Sequence, residues 1–317
     1  MTMLPKPRGE LSAAFFEALR SWDDGPVTAV DVAPESAEDA AITLWASHEL
    51  SYRGFDDVDD GAEWEPALLA VRRELERELE SRLRQRWPGA PQGRDVVEHF
   101  FDWVAEQDGP SLARHVQTTA TTEQVLDLLR MRSVYHLKEA DPTAWVVPRL
   151  PMAAQAALME LQFDEYGNGD PARLHTGLFA RGIAACGLRP EQGAYVDEAP
   201  LEVLEQNNTL SMFGLHRRLR GAALGHLAAF EATSSLPSRR MAQGLERLGM
   251  APEMIAYYTE HVEADAVHEQ LAVRTICGSL LAEEPEQAPE IWFGAFTCLD
   301  LEDRLAHRLL EVWEVAA

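Results

Sequence analysis

Two histidines and an aspartate recur at helical spacing in His261–Gln270, HVEADAVHEQ. At 3.6 residues per turn, steps of four and seven bring Asp265 and His268 to within about 40° of His261, one on either side of it. One stripe therefore carries two imidazoles and a carboxylate, either half of a metal site or a surface cluster. Glu263 and Glu269 fall on other faces and read as solvated charges. A second candidate is Glu231 in GHLAAFEATSS, which follows Leu224, Leu227 and Phe230 among small and apolar residues. If that segment is buried, the carboxylate must be paired, protonated or metal-bound. The competing reading puts Glu231 on a polar side near a helix end at Pro237. His226, about 140° away, reads as a surface group or one standing behind a site.

Glu165 and His175 form a third group, in MELQFDEYGNGDPARLHTGLF. Gly167, Gly169 and Pro171 make regular helix improbable between them. A helix ending near Tyr166 and restarting near Pro171, capped by Asp170, would aim both side chains inward. The alternative is a plain loop holding one acid and one histidine. Taken together, the three groups supply six oxygen and nitrogen ligands and no sulfur. That set suits two octahedral iron or manganese ions better than zinc, whose structural sites favour four ligands and often thiolate. It also differs from the ferritin-like pattern, because the chain has no Glu-x-x-His.

The elements that must position these groups are helical almost throughout. ELERELESRLRQRW places Leu75, Leu79 and Leu83, with Leu69 and Val71 before them, among Arg and Glu three or four residues apart. Long apolar-periodic runs follow from Pro200 and from Ala251 without the alternation of strands, so the class is all-α. Breaks are expected where Pro and Gly cluster, at 87–93, 141–151, 167–171, 187–195, 236–238 and 249–252. WPGAPQG is the best boundary. It divides residues 1–93, an N-terminal helical extension packed on the bundle, from a domain at 94–317.

The 317 residues carry 28 Lys and Arg against 53 Asp and Glu, a net charge of −25. A field of that sign argues against nucleic acid and anionic membranes as partners. Cys186, Cys277 and Cys298 are far apart and suggest neither disulfides nor a thiolate site. With no signal-peptide core and no apolar run of membrane length, a cytoplasmic location is expected.

From Leu128 to Trp313 the chain resembles the haem-oxygenase-like diiron oxidases and oxygenases, described as iron-containing redox enzymes. RSVYHLKEADPTAWVVPRL, LQFDEYGNG, FGLHRRLRG, GHLAAFEATSSLP and EHVEADAVHEQ carry the resemblance, in order and spacing. It implies a haem-oxygenase-like helical bundle. It further implies that Glu165, His175, Glu231, His261, Asp265 and His268 hold two Fe(II)/Fe(III) ions, with manganese an alternative in one site. Relatives in the N-oxygenating branch carry a further carboxylate ligand 26 residues before the first Glu, which here is Glu139. The residues alone allow Glu139 to be a helix-end charge before Asp141-Pro142.

The implied activity is O2-dependent oxygenation of an amine on a small amino-acid-like intermediate, with electrons from an external donor. Oxidative desaturation or carbon–carbon cleavage of an aliphatic amino acid or fatty acid is the enzymatic alternative. A helical metal-binding module without turnover is the non-enzymatic one. Haem is disfavoured, since one axial His would leave the co-located carboxylates unexplained. Phe230, Thr233 and Phe179 are candidate pocket walls. Arg217, Arg218 and Arg220 read as ion-pair partners unless one reaches the cavity to hold a substrate carboxylate. Tyr257 and Tyr258 read as packing residues, with self-oxidation of one of them a minor variant. His48 and Glu49, with Asp56, Asp57, Asp59 and Asp60, imitate a cation site but read as packing and a solvated loop. Whether the protein is a monomer or a homodimer stays open.

Overall fold

Caps and apolar stripes account for where the helices begin and what they bury. The structure is a computed structural model that describes all residues except 1, 23, 24, 26–29, 316 and 317, and the side chains of 263–267. Among the described residues every regular element is helical and none is a strand. The N-terminal region contributes α1 (Glu10–Arg20), α2 (Ala37–Glu49) and α3 (Pro66–Arg86). There follow α4 (Val96–Ala105), α5 (Leu112–Thr118), α6 (Thr122–His136), the short α7 (Asp141–Ala144) and α8 (Met152–Glu165). The remainder are α9 (His175–Ala185), α10 (Leu201–Leu215), α11 (Arg220–Arg247), α12 (Pro252–Gln270), α13 (Gly278–Glu283) and α14 (Ala288–Val312). Ser36, Asp95 and Thr121 accept hydrogen bonds from the first-turn amides of α2, α4 and α6, satisfying donors the helices cannot.

The expected salt-laced helix is α3, which buries Leu68, Leu75, Leu79 and Leu83 along one stripe. Its arginines reach outward as well as along the helix: Arg84 pairs with Glu290 at 2.7 Å and Arg86 with Asp300 at 2.8 Å. The N-terminal region is thereby tied to α14. Two apolar clusters, one around Trp45, Phe179 and Tyr257 and one around Phe100, Phe213 and Phe293, each draw residues from both sides of position 93.

One break is not where the residues suggested. Helix α11 runs through Pro237 without ending, so Glu231 lies in its interior and not near a terminus. Proline there removes an amide donor and crowds the Thr233 carbonyl. Packing of α11 between α5, α12 and α14 outweighs that local cost. Past α12, the same rod continues as a π-helix over Leu271–Cys277 and then as α13. Such π segments are uncommon and concentrate near functional sites. No described helix is long and apolar enough to cross a membrane.

Candidate metal centre

Four helices and one turn bring the candidate ligands together. Glu165 is the last residue of α8 and His175 the first of α9. Between them the chain reverses through Gly167, Asn168 and Gly169, all at positive φ, and Asp170 caps the next turn by accepting from the Ala172 amide. At Gly167 an added Cβ would meet the Leu174 nitrogen at 2.6 Å, so both the conformation and the space require glycine. The helix break expected from the glycines and proline is thus present. Glu231 comes from the middle of α11, and His261 and His268 from α12, one stripe seven residues apart. Asp265 lies between them on α12, and its side chain falls outside the described residues.

These side chains form two buried triads. Glu139, His175 and His261 make one, Glu165, Glu231 and His268 the other, with the potential donor atoms of each triad all within 4.8 Å of one another. Glu165 connects them, its Oε2 3.0 Å from His175 Nδ1 and its Oε1 3.5 Å from His268 Nδ1. His268 Nδ1 is also 3.6 Å from Glu231 Oε2. Glu139 is buried and not a solvated helix end: it sits on the turn after α6, and its Oε2 accepts from Tyr257 Oη at 2.9 Å. Its Oε1 is 4.0 Å from His261 Nε2.

The orientation of each imidazole follows from the partner behind it. His261 Nδ1 donates to the Tyr257 carbonyl at 2.8 Å, which leaves Nε2 facing Glu139. His268 Nε2 donates to Asp164 Oδ2 at 2.9 Å, which leaves Nδ1 facing Glu165 and Glu231. Backbone-carbonyl and carboxylate partners of this kind fix tautomer and ring angle in metal-ligating histidines. Asp164 was not singled out from the sequence, although its place beside Glu165 was the available signal.

Charge inside the centre is redistributed among its members. Burial pushes the Glu139 carboxyl up to about 7, against the pull of His261, and Glu231 is raised for the same first reason. Burial opposes protonation of His175 and His268, but Glu165 beside the first and Glu231 beside the second outweigh it and push both to about 9. His261 is lowered by burial, which the pull of Glu139 and Glu165 does not outweigh.

The residues present fit metal ions. Glu139 Oε1 is buried without a hydrogen-bond partner, and His175 Nδ1 and His268 Nδ1 meet carboxylate oxygens at 3.0 and 3.5–3.6 Å without hydrogen-bond geometry; all three face their triads. Leaving such atoms unpaired is costly, and coordination would satisfy them. Oxygen and imidazole nitrogen without thiolate is a donor set for iron or manganese.

A narrow cavity of about 30 Å³ adjoins both triads, room for one or two water molecules. Tyr135, Thr143, Gln162, Leu210 and Phe230 line it, along with His226. The Tyr135 and Phe230 rings meet edge to face at 5.5 Å and form one wall. Gln162 is 3% exposed with neither amide atom bonded, so it offers a donor and an acceptor to whatever enters. Its signal was its position one turn before Glu165. His226 is buried, not on the surface, and burial lowers it to about 4.

Of the other expected walls, Thr233 bonds its own helix through the Ala229 carbonyl, and Phe179 packs under His136 and Tyr257. Neither lines the cavity. None of the three arginines reaches it either: Arg218 pairs with Glu80, Arg220 with Glu284, and Arg217 lies on the exposed turn before α11. Asp56, Asp59 and Asp60 are exposed, while Asp57 takes the Leu4 amide and Arg20.

A helical bundle that buries two carboxylate–imidazole triads side by side has the framework of a metal-dependent helical enzyme. Residues 126–303 match the family described as iron-containing redox enzyme, and the chain belongs to that family. It is an oxidoreductase at that level, on the all-α haem-oxygenase-like fold. Two crystal structures of a CADD-like protein of unknown function from Nostoc punctiforme share the fold, with TM-scores of 0.52 and 0.51 at 15% identity. They align over 74% and 76% of this chain and 97% and 98% of that one. No curated protein matches the chain.

Proposed function

We propose that the protein is a non-haem diiron oxygenase that transfers oxygen to the amine nitrogen of a small, amino-acid-like substrate. The observation that supports this most is the place of Glu139, whose carboxylate stands with His175 and His261 in a buried triad. A carboxylate at that position is what the N-oxygenating relatives add to the six-residue set. In this reading Glu139, Glu165, His175, Glu231, His261, Asp265 and His268 hold two iron ions. When bound, the irons supply the redox chemistry of O2 activation, with two electrons per cycle from a reductant outside the chain.

The protein's own part is to position and enclose. The Tyr257 carbonyl and Asp164 hold the His261 and His268 rings so that Nε2 of the first and Nδ1 of the second face inward, the nitrogens a metal would take. The Tyr135–Phe230 pair and the Gln162 amide line the small cavity beside the triads, so in this reading they are the groups that must move apart to admit a substrate and then face it. His226, held neutral by burial, can accept or donate one hydrogen bond without bringing a charge to the amine.

Anaerobic loading with Fe(II), then mixing with O2 across a panel of amines and amino acids, tests the reading. About two irons per chain and products containing new N–O bonds are expected. Fewer than about one iron per chain, or His261→Ala binding as the wild type does, overturns the diiron assignment. Release of formaldehyde, CO2 or an alkene in place of N–O products overturns N-oxygenation and leaves desaturation or carbon–carbon cleavage on the same centre.

A further inference from the structure

Glu139 is the only one of the described candidate ligands that is not part of a helix. Helix α6 ends at His136, and residues 137–140 form a turn before α7. A ligand on a turn needs its backbone held from outside, because no helical ladder fixes its direction. Its neighbour Lys138 points the opposite way and is 1% exposed, among the most deeply buried side chains described. The Lys138 ammonium donates to Glu49 Oε2 at 2.8 Å. It also lies 4.6 Å from the Tyr52 ring and 5.8 Å from that of Trp45. Glu49, 2% exposed, closes α2 and takes a second donor, Gln192 Nε2, on its other oxygen. The side chain that imitated a cation site in the sequence therefore binds a cation belonging to the chain itself.

A buried ion pair is a poor device for stability alone, since removing both ions from water costs about as much as their attraction returns. It is a good device for fixing a direction, because it tolerates one geometry. An ammonium near the C-terminal end of α2 also meets that helix's negative pole. We propose that Glu49 and Lys138 are positioning residues for the metal centre: the N-terminal region clamps the 137–140 turn and so aims the Glu139 carboxylate at His175 and His261. Residues 1–93 are on this view a working part of the site. The proposal rests on the two-metal reading given above.

Anaerobic calorimetric titration with Fe(II), repeated with Co(II) for its visible spectrum, separates the two triads. Wild type is expected to bind two metals tightly. Glu49→Gln and Lys138→Met are each expected to keep one tight metal and to weaken the other at least tenfold, the pattern of Glu139→Gln. In a Glu231→Gln background, Glu49→Gln is expected to weaken the metal that remains. The double variant Glu49→Met/Lys138→Met leaves no unpaired buried charge, so it folds even where the single variants do not, and its affinity is expected to split in the same way. If the double variant binds both metals as tightly as wild type, or if both sites weaken equally in step with the melting temperature, the clamp is refuted. A wild-type protein that fails to bind two metals sinks the two-metal reading itself, and this proposal with it.

Discussion

The crossing of α11 and α14 sets where Glu231 stands, and two glycines set how close that crossing is. A Cβ on Gly225 would lie 1.9 Å from the Ile291 carbonyl oxygen, and one on Gly294 would lie 1.9 Å from that of Ala222. Both obstacles are backbone, so no rotamer change relieves them, and Gly225→Ala must push the helices apart by more than about 1 Å. Overpacking of this kind costs about 1–3 kcal/mol or more, while alanine's helix preference returns about 1 kcal/mol at most. With backbone as the obstacle the overpacking cost lies at the upper end of that range, so a net loss of about 1–2 kcal/mol follows, a fall of roughly 1.5–3 °C in Tm at about 2.1 cal/mol/K of unfolding entropy per residue. Glu231 lies six residues along α11, about 9 Å from the crossing, so the displacement reaches the triad it shares with Glu165 and His268. Thermal unfolding and Fe(II) titration should therefore fall together. Gly278→Ala is the control: its Cβ would meet only Val97 Cγ2, at 3.4 Å, and that variant should be neutral or slightly stabilised. Equal stability of Gly225→Ala and Gly278→Ala would show that the helices have slack there and that the reasoning fails.

Two further outcomes follow from groups outside the triads. Burial lowers His48 and His226 from an ordinary value near 6.5 to about 4 in the folded protein. The unfolded chain takes up these protons first as pH falls, so stability is full above about pH 6.5 and is lost between there and pH 4, by about 3 kcal/mol per histidine. Denaturant midpoints of metal-free protein at pH 7.5 and 4.5 should drop less for His48→Gln or His226→Gln than for wild type; equal slopes would reject the assignment. Arg132 holds Glu302 through two 2.6 Å hydrogen bonds, with Gln206 as a third donor. Glu302 keeps 33% of its side-chain surface exposed, so Arg132→Met should cost about 1–3 kcal/mol and not the larger penalty of a fully buried orphan. Adding Glu302→Gln should recover much of that loss, and a strictly additive double variant would mean that the pair is not coupled.

What was legible in the sequence was what local spacing controls. The seven-residue step from His261 to His268 and the Gly-Pro interruption between Glu165 and His175 each predict a direction from the chain's own geometry, and both directions hold. Glu139 was ambiguous because its burial is decided by Tyr257, 118 residues away, which no local pattern reports. Pro237 was misread for the complementary reason: proline's local penalty is real, but α11 is enclosed by three other helices that repay it. Glu49 read as imitating a cation site and Lys138 drew no reading, since nothing in either neighbourhood announces a partner 89 residues off. The tight glycines of the α11–α14 crossing were likewise silent, because a close helix approach leaves no periodic trace in composition.

The electrostatics of the centre explain how it can exist before any metal arrives. Three described carboxylates, Glu139, Glu165 and Glu231, sit in a space from which water is largely excluded, an arrangement that would repel itself apart if all were ionised and unpaired. The chain meets this with its own cations: His175 and His268, both raised to about 9, stand against Glu165 and Glu231, and burial lets Glu139 hold a proton near neutrality. Protons thus occupy the places that metal charge would take, within the same donor atoms. That separates two jobs the acidic composition had merged. Most of the 53 acidic residues lie outside the core, whereas Glu165 and Glu231 in the centre stand against imidazoles whose positions α9 and α12 determine.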